Sequence, residues 1–196
     1  MQNKKALLVL DLINEVVHPE GKYAGDGYYE QVRQRHVLQN AEAALRQARV
    51  SDMPVIFVVV GFSESYVECP DNSPVFGMAK KEKRITLGTW GTEVFSTLKP
   101  MPSEPVVVKN RINPFFQTNL DLVLRQLQVD TLVLCGVSTE FVILSTAMAA
   151  HDRDYNVIVL EDATASSTEE LHAAALKIAA RTASIRSVAD VFQHME

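Results

Sequence analysis

Apolar residues fall along this chain in two rhythms. Short runs without polar alternation recur at 6–10 (A-L-L-V-L), 55–60 (V-I-F-V-V-V), 105–108 (P-V-V-V), 131–135 (T-L-V-L-C) and 157–160 (V-I-V-L). A strand that is apolar on both faces belongs in the middle of a parallel sheet covered on both sides. Between these runs the spacing lengthens to that of helices. Val37, Leu38, Ala41, Leu45 and Ala48 share one face of a long helix expected over 29–49, and Leu120, Val123, Leu124 and Leu127 form the buried stripe of another. Thr118 with Asp121 three residues on predicts a variant capping box for that second helix. Ser167-x-x-Glu170 predicts a capping box for the helix L-H-A-A-A-L-K-I-A-A-R. A further helix should open near Thr139 and run to His151, with a short edge strand at 183–186 and a last helical turn at 187–192.

Strands that alternate with helices predict a parallel sheet with helices on both faces, joined by right-handed crossovers. The exception is 61–104, which has no long periodic segment; uncovered stretches of this length are often functional lids. Its charge run, Lys80 to Arg84, reads as a solvated helix face. Trp90 sits in G-T-W-G-T-E-V-F, where the glycines allow tight turns. It reads as a pocket wall or, preferably, a core plug.

Composition narrows the function classes. With 196 residues, 47% apolar and 22% charged, the chain suits one soluble globular domain spanning 1–196. A net charge of −5 argues against nucleic acid, which needs a basic face. No apolar run approaches the ~20 residues needed to cross a bilayer, so no membrane is expected. The N-terminal apolar run ends at Asp11, too early for a secretory core. Cys69 and Cys135 make neither a disulfide framework nor a C-x-x-C pair. A cytoplasmic setting is expected, with each thiol packed as a small hydrophobe. No glycine-rich phosphate motif follows any strand, and no cofactor is expected. The five histidines (His18, His36, His151, His172, His194) show no ligand spacing; they read as loop or surface residues, and no metal is expected.

Three polar features fall at the carboxyl ends of predicted strands: Asp11, Lys109 and the turn Gly136–Thr139. Strand ends of this kind share one edge of a parallel sheet, where ligands bind. A carboxylate beside a lysine tunes proton transfer, and free N–H groups at a helix N-terminus hold developing negative charge. Asp11 reads equally well as a turn or cap residue, and Thr139 as a helix cap. A nucleophile is missing from the set.

Four segments carry a resemblance: L-L-V-L-D-L-I-N-E-V-V-H-P-E-G, V-V-V-K-N-R-I-N-P-F-F-Q-T-N-L, V-D-T-L-V-L-C-G-V-S-T-E-F-V-I-L-S-T-A and N-V-I-V-L-E-D-A-T-A-S. In this order and spacing the chain resembles the isochorismatase-like (cysteine hydrolase) family over nearly its whole length. The resemblance implies an α/β fold of three layers, α/β/α and Rossmann-like, around a six-stranded parallel sheet. It also implies a non-proline cis peptide between Val137 and Ser138, a small-molecule substrate, and a homodimer or homotetramer. Of the family's Asp, Lys and Cys triad, Asp11 and Lys109 match, whereas the cysteine falls on Val142. Thiolate attack from that position is thereby excluded. Cys135 lies seven residues upstream on the preceding strand, and Cys69 has no motif behind it. Zinc-using relatives place Asp-x-His after the second strand, where this chain has G-F-S-E-S-Y.

Substrate contacts are expected from Val137, Ser138, Thr139, Val142, Phe115 and Trp90. Two functional readings follow. In one, Asp11 is a general acid that protonates an enol ether carbon, as in isochorismate hydrolysis, with water attacking the cation. In the other, catalysis has been lost and the pocket serves ligand binding or assembly, which a branched valine at 142 favours.

Overall fold

The computed structural model describes residues 4–192. Strand β1 (Lys5–Leu10) leads through a short helix α1 (Asn14–Val17) into α2 (Tyr28–Gln34) and α3 (Val37–Val50), then β2 (Val55–Val60). A long excursion holds a single-turn helix α4 (Ala79–Glu82) before β3 (Val106–Lys109). There follow α5 (Leu120–Leu127), β4 (Thr131–Val137), a π-helical turn (Thr139–Ile143) continuing into α6 (Leu144–His151), β5 (Asn156–Ala165), α7 (Glu169–Ala179), β6 (Ser184–Arg186) and α8 (Val188–Phe192).

The six strands form one parallel sheet in the order β3-β2-β1-β4-β5-β6. Side chains alternate across it. Leu7, Val9, Phe57, Val133 and Cys135 pack with Ala41, Leu45 and Ala48 of α3. Ala6, Leu8, Leu10, Val58 and Leu134 pack with α5 and α6 on the other face. Each fully buried Leu, Val or Phe contributes roughly 1.5–3 kcal/mol, so the two faces together fix the register of the sheet. Among the described residues, no helix is long and apolar enough to cross a membrane.

Chain order sends β2 and β3 to one side of β1 and β4, β5 and β6 to the other. The crevice between the carboxyl ends of β1 and β4 is therefore a topological switch point. Glycine is required there. Gly136 has φ +131°, and a Cβ on it would lie 1.9 Å from the carbonyl oxygen of Leu10.

Several local expectations are corrected. The helix expected over 29–49 is broken at His36, which takes the left-handed conformation (φ 54°). Val32 and Val37, both buried, would point about 140° apart on one continuous helix; the break brings both into the core. Thr118 is not the cap of α5, which begins after Asn119 with no side-chain cap. Its hydroxyl instead donates to the Pro114 carbonyl and accepts from Leu120 N–H, closing the preceding turn. The cap of α7 is Thr168, not Ser167; its Oγ1 accepts from Leu171 N–H at 3.2 Å. Strand β5 runs past Leu160 to Ala165, with an irregularity opposite the Leu134–Gly136 step. Residues 61–104 are no bare lid, because Phe62, Tyr66, Phe76 and Ile85 form a small core of their own. Within this stretch Lys80 to Lys83 are exposed as expected, while Arg84 lies over the Tyr23 ring, 4.5 Å from its centroid.

Gly136→Ala should destabilise the protein by at least ~3 kcal/mol, since the methyl group meets backbone and the φ is unfavourable for any L side chain. Urea unfolding measures this; wild-type stability in the variant would disprove the close-approach explanation.

Candidate active site

Parallel register sets the ends of the strands side by side. Leu10 pairs with Val58 and Gly136, and Val60 pairs with Lys109, so Asp11, Lys109 and Val137 meet at one edge. Asp11 turns off the end of β1 (φ 52°), its N–H donating to Val58 O at 2.9 Å. Lys109 Nζ lies 2.7 Å from Asp11 Oδ2, and the two residues are only 2% and 5% exposed. The ammonium also donates to Arg111 O at 3.1 Å. Asp11 Oδ1 is buried and has no protein partner.

Burial raises the Asp11 pKa. The charge and hydrogen bond of Lys109, with a backbone hydrogen bond from Val60, pull it down, and burial outweighs them. The result is a carboxyl group that holds a proton more firmly than a free aspartate, with one oxygen available to a ligand.

Beside this pair lies a cavity of about 90 Å³. The switch-point turn supplies Val137, Ser138, Phe141 and Val142 to its walls. The Val137–Ser138 peptide is cis, as the resemblance implies. Ile143 N–H donates to Ser138 O at 3.1 Å, leaving the preceding N–H groups without intrahelical acceptors.

Of the residues expected to contact substrate, Val137, Ser138 and Val142 line this cavity and Thr139, Phe115 and Trp90 do not. Thr139 is fully buried behind the turn, its Oγ1 2.8 Å from His172 Nδ1. Phe115 packs into the core on the α5 side of the sheet, with the Arg153 guanidinium over its ring and Tyr155 beside it. Trp90 is 43% exposed, edge-on to His18, in a separate cleft; it is neither core plug nor wall of this site. His172 also departs from the surface reading: it is buried, and desolvation with nearby Arg35 pushes its pKa down to about 4.

The remaining walls come from residues that sequence reasoning missed. Tyr23 and Tyr28 rise from the glycine-broken stretch after α1, and Phe76 and Ile85 from the 61–104 excursion. The Tyr28 hydroxyl donates to Glu140 Oε1 at 3.2 Å. Burial and that carboxylate raise its pKa, against a hydrogen bond with Ser138. Aromatic residues held between glycine turns were the available signal, but nothing local says which cavity they enter.

Neither thiol replaces the missing nucleophile. Cys135 is fully buried in β4, its Sγ donating to Leu8 O, and desolvation pushes its pKa up to about 12. Cys69 Sγ donates to Phe76 O, and burial raises its pKa as well. Neither residue lines the cavity. Among the described residues, no group of three His, Cys, Asp or Glu side chains is placed to hold a metal ion.

Residues 5–190 match the sequence profile of the isochorismatase domain. Among solved structures, the chain is similar to an isochorismatase-like hydrolase from Alkaliphilus metalliredigens, at 28% identity and TM-score 0.81, over 98% of this chain and 99% of that one. It is similar to N-carbamoylsarcosine amidase from Thermoplasma acidophilum at 26% identity and TM-score 0.73, over 94% and 96% of the two chains. A nicotinamidase from Bacillus subtilis aligns at 25% identity and TM-score 0.70, over 89% and 93%.

Removing the ammonium should expose the cost of the buried carboxylate. Lys109→Met is expected to lose about 3 kcal/mol of stability near pH 8. The loss should shrink as pH falls and Asp11 takes up a proton. Urea unfolding at pH 5 and pH 8 checks this; a loss independent of pH would mean that the pair is not the source.

Proposed function

The chain belongs to the isochorismatase family, and from that premise we propose that it is a hydrolase that adds water to a compact enol ether without a covalent enzyme intermediate. The observation that carries this reading is the buried Asp11, raised in pKa and with a free oxygen, beside a cavity whose cysteine position holds Val142. Asp11 donates its proton to the terminal carbon of the enol ether. The C=C electron pair forms the new C–H bond, and the ether oxygen shares the resulting positive charge. Water attacks the oxygen-bearing carbon, where that charge sits, and the hemiketal collapses to a carbonyl compound and an alcohol. Lys109 stabilises the carboxylate left on Asp11, so its charge sets how readily the proton leaves. The names of the two amidase relatives point to amide substrates. An amide cleaved through a thioester needs a thiol in the cavity, and here there is none.

Size and charge narrow the substrate. Among the described residues Lys109 is the one cation lining the cavity, and it is already paired. A small enol ether of low charge suits the site better than isochorismate, which is larger and carries two carboxylates. Val142 filling part of the space favours a second reading, in which the pocket binds a ligand without turning it over. We propose a cytoplasmic homodimer or homotetramer; exposed Phe141 and Met148, with Leu171 and Ile178 on α7, offer apolar surface to a second copy.

The test is incubation of pure protein with isochorismate, small vinyl ethers and small amides, read by mass spectrometry. Release of carbonyl product from the vinyl ethers is expected; binding without product would favour the second reading. Asp11→Asn should lower turnover by at least ~100-fold while far-UV circular dichroism stays unchanged; an active variant would remove Asp11 from the role. Turnover should be highest where Asp11 is protonated and fall as pH rises through its folded-state pKa, which burial holds above that of an ordinary aspartate. A rate that does not fall with rising pH would exclude the acid role.

A further inference from the structure

Protonation by Asp11 accounts for half of the proposed reaction. The water that attacks must also lose a proton, and Asp11 has just become the carboxylate that Lys109 holds. We infer that Tyr28, backed by Glu140, takes the proton from the attacking water, so that the cavity has an acid on one wall and a base relay on another. This rests on the hydrolase reading above.

Among the described residues, the titratable ones lining the cavity are Asp11, Lys109, Tyr23 and Tyr28. Lys109 is a paired cation and accepts nothing. The Tyr23 hydroxyl donates to the carbonyl of Val75, 3.4 Å away, rather than to a carboxylate, with Arg84 over its ring. Tyr28 differs, because its proton already lies toward Glu140 Oε1 at 3.2 Å. Glu140 has spare capacity, since its Oε2 is buried and has no partner. Ser138 also lines the cavity, at the switch-point turn that carries Glu140. Among the described residues no histidine lines the cavity, and His172 is occupied with Thr139.

The charged neighbours of Tyr28 are Glu140 and Asp26, both negative, and with burial they keep the phenol protonated. A phenol that does not ionise passes a proton on as it receives one. When water attacks the cationic carbon, a C–O bond forms and one water proton moves to the Tyr28 oxygen. At the same time the Tyr28 proton moves to Glu140. When the hemiketal collapses, the Glu140 proton returns through Tyr28 to the leaving alcohol oxygen. The hemiketal hydroxyl gives its proton back to Asp11, so both walls end as they began. Tyr28 is thus a catalytic residue, and Glu140 a positioning residue that acts through it.

The experiment uses the full chain and the vinyl ether turned over fastest by the wild type, with Tyr28→Phe, Glu140→Gln and the double variant. Each single substitution is expected to lower kcat about 100-fold with KM within about threefold. The double variant should be no slower than the slower single, because two parts of one relay do not add. Thermal melts establish folding; if Tyr28→Phe does not fold, Glu140→Gln alone decides. Wild-type kcat in a folded Tyr28→Phe, a loss confined to KM, or losses that multiply in the double variant would overturn the relay and leave the Asp11 reading standing. No turnover of any vinyl ether by the wild type would overturn the Asp11 reading, and the relay with it.

Discussion

A carboxylate and an ammonium 2.7 Å apart, almost sealed from water, make the strongest demand that this sequence places on its fold. Taking each charge out of water costs several kcal/mol, and the pair offsets this only if its geometry is held closely. The sheet provides that hold. Asp11 and Lys109 sit at the ends of β1 and β3, two strands locked to β2 by a continuous parallel ladder. Neither side chain has to bend far, because register alone brings them together. A slip of one residue in any of the three strands would turn a core residue toward the pair and leave a buried charge alone. The apolar faces of the strands therefore do more than stabilise the domain; their register places the charges.

The glycine at the switch point is the second half of this constraint. Strand β4 lies so close to β1 at Leu10 that position 136 has no room for a side chain. That closeness brings the turn at Val137 and Ser138 beside Asp11. That wall of the cavity is then built from Val137 at the end of β4, Ser138, and Phe141 and Val142 of the following π-helical turn. Where the family resemblance places a thiol, the chain presents Val142, 2% exposed and packed with the α6 side of the core. The pocket thus keeps its scaffold and its charged pair, and has gained an apolar wall.

How much of this was legible depends on the range of the interactions. The five apolar strand runs, the parallel sheet and the convergence of Asp11, Lys109 and the 136–139 turn follow from local pattern and topology, and they stand in the structure. The 105–108 run, however, read as covered on both faces, forms the edge strand β3 with Val106 and Val108 exposed. The broken helix at His36 did not show, because Val32 and Val37 are both apolar and only the shape of the core decides that both must be buried. Phe115 and Trp90 misled for a related reason. An aromatic side chain in a loop has no periodicity to say which way it faces, and these two face the core under α5 and an outer cleft. The contacts that finish the site span the chain: Tyr28 reaches Glu140 across 112 positions. Such pairs are products of the fold, and no window along the sequence contains both partners.

Apolar walls change what a few polar groups can do. With Phe76, Ile85, Phe141 and Val142 around it, the cavity offers little solvent to screen a charge, so each remaining dipole or ion acts at close to full strength. In the proposed reaction this matters most after proton transfer. Asp11 is then an anion between Lys109 and the cationic carbon it has just created, and its attraction to that cation is stronger than it would be in water. A thiolate at position 142 would have competed for the same carbon and trapped it covalently. Valine removes that outcome and leaves the cation to water. The substitution that rules out the family's covalent route is, on this view, the one that suits the pocket to an unbound cationic intermediate.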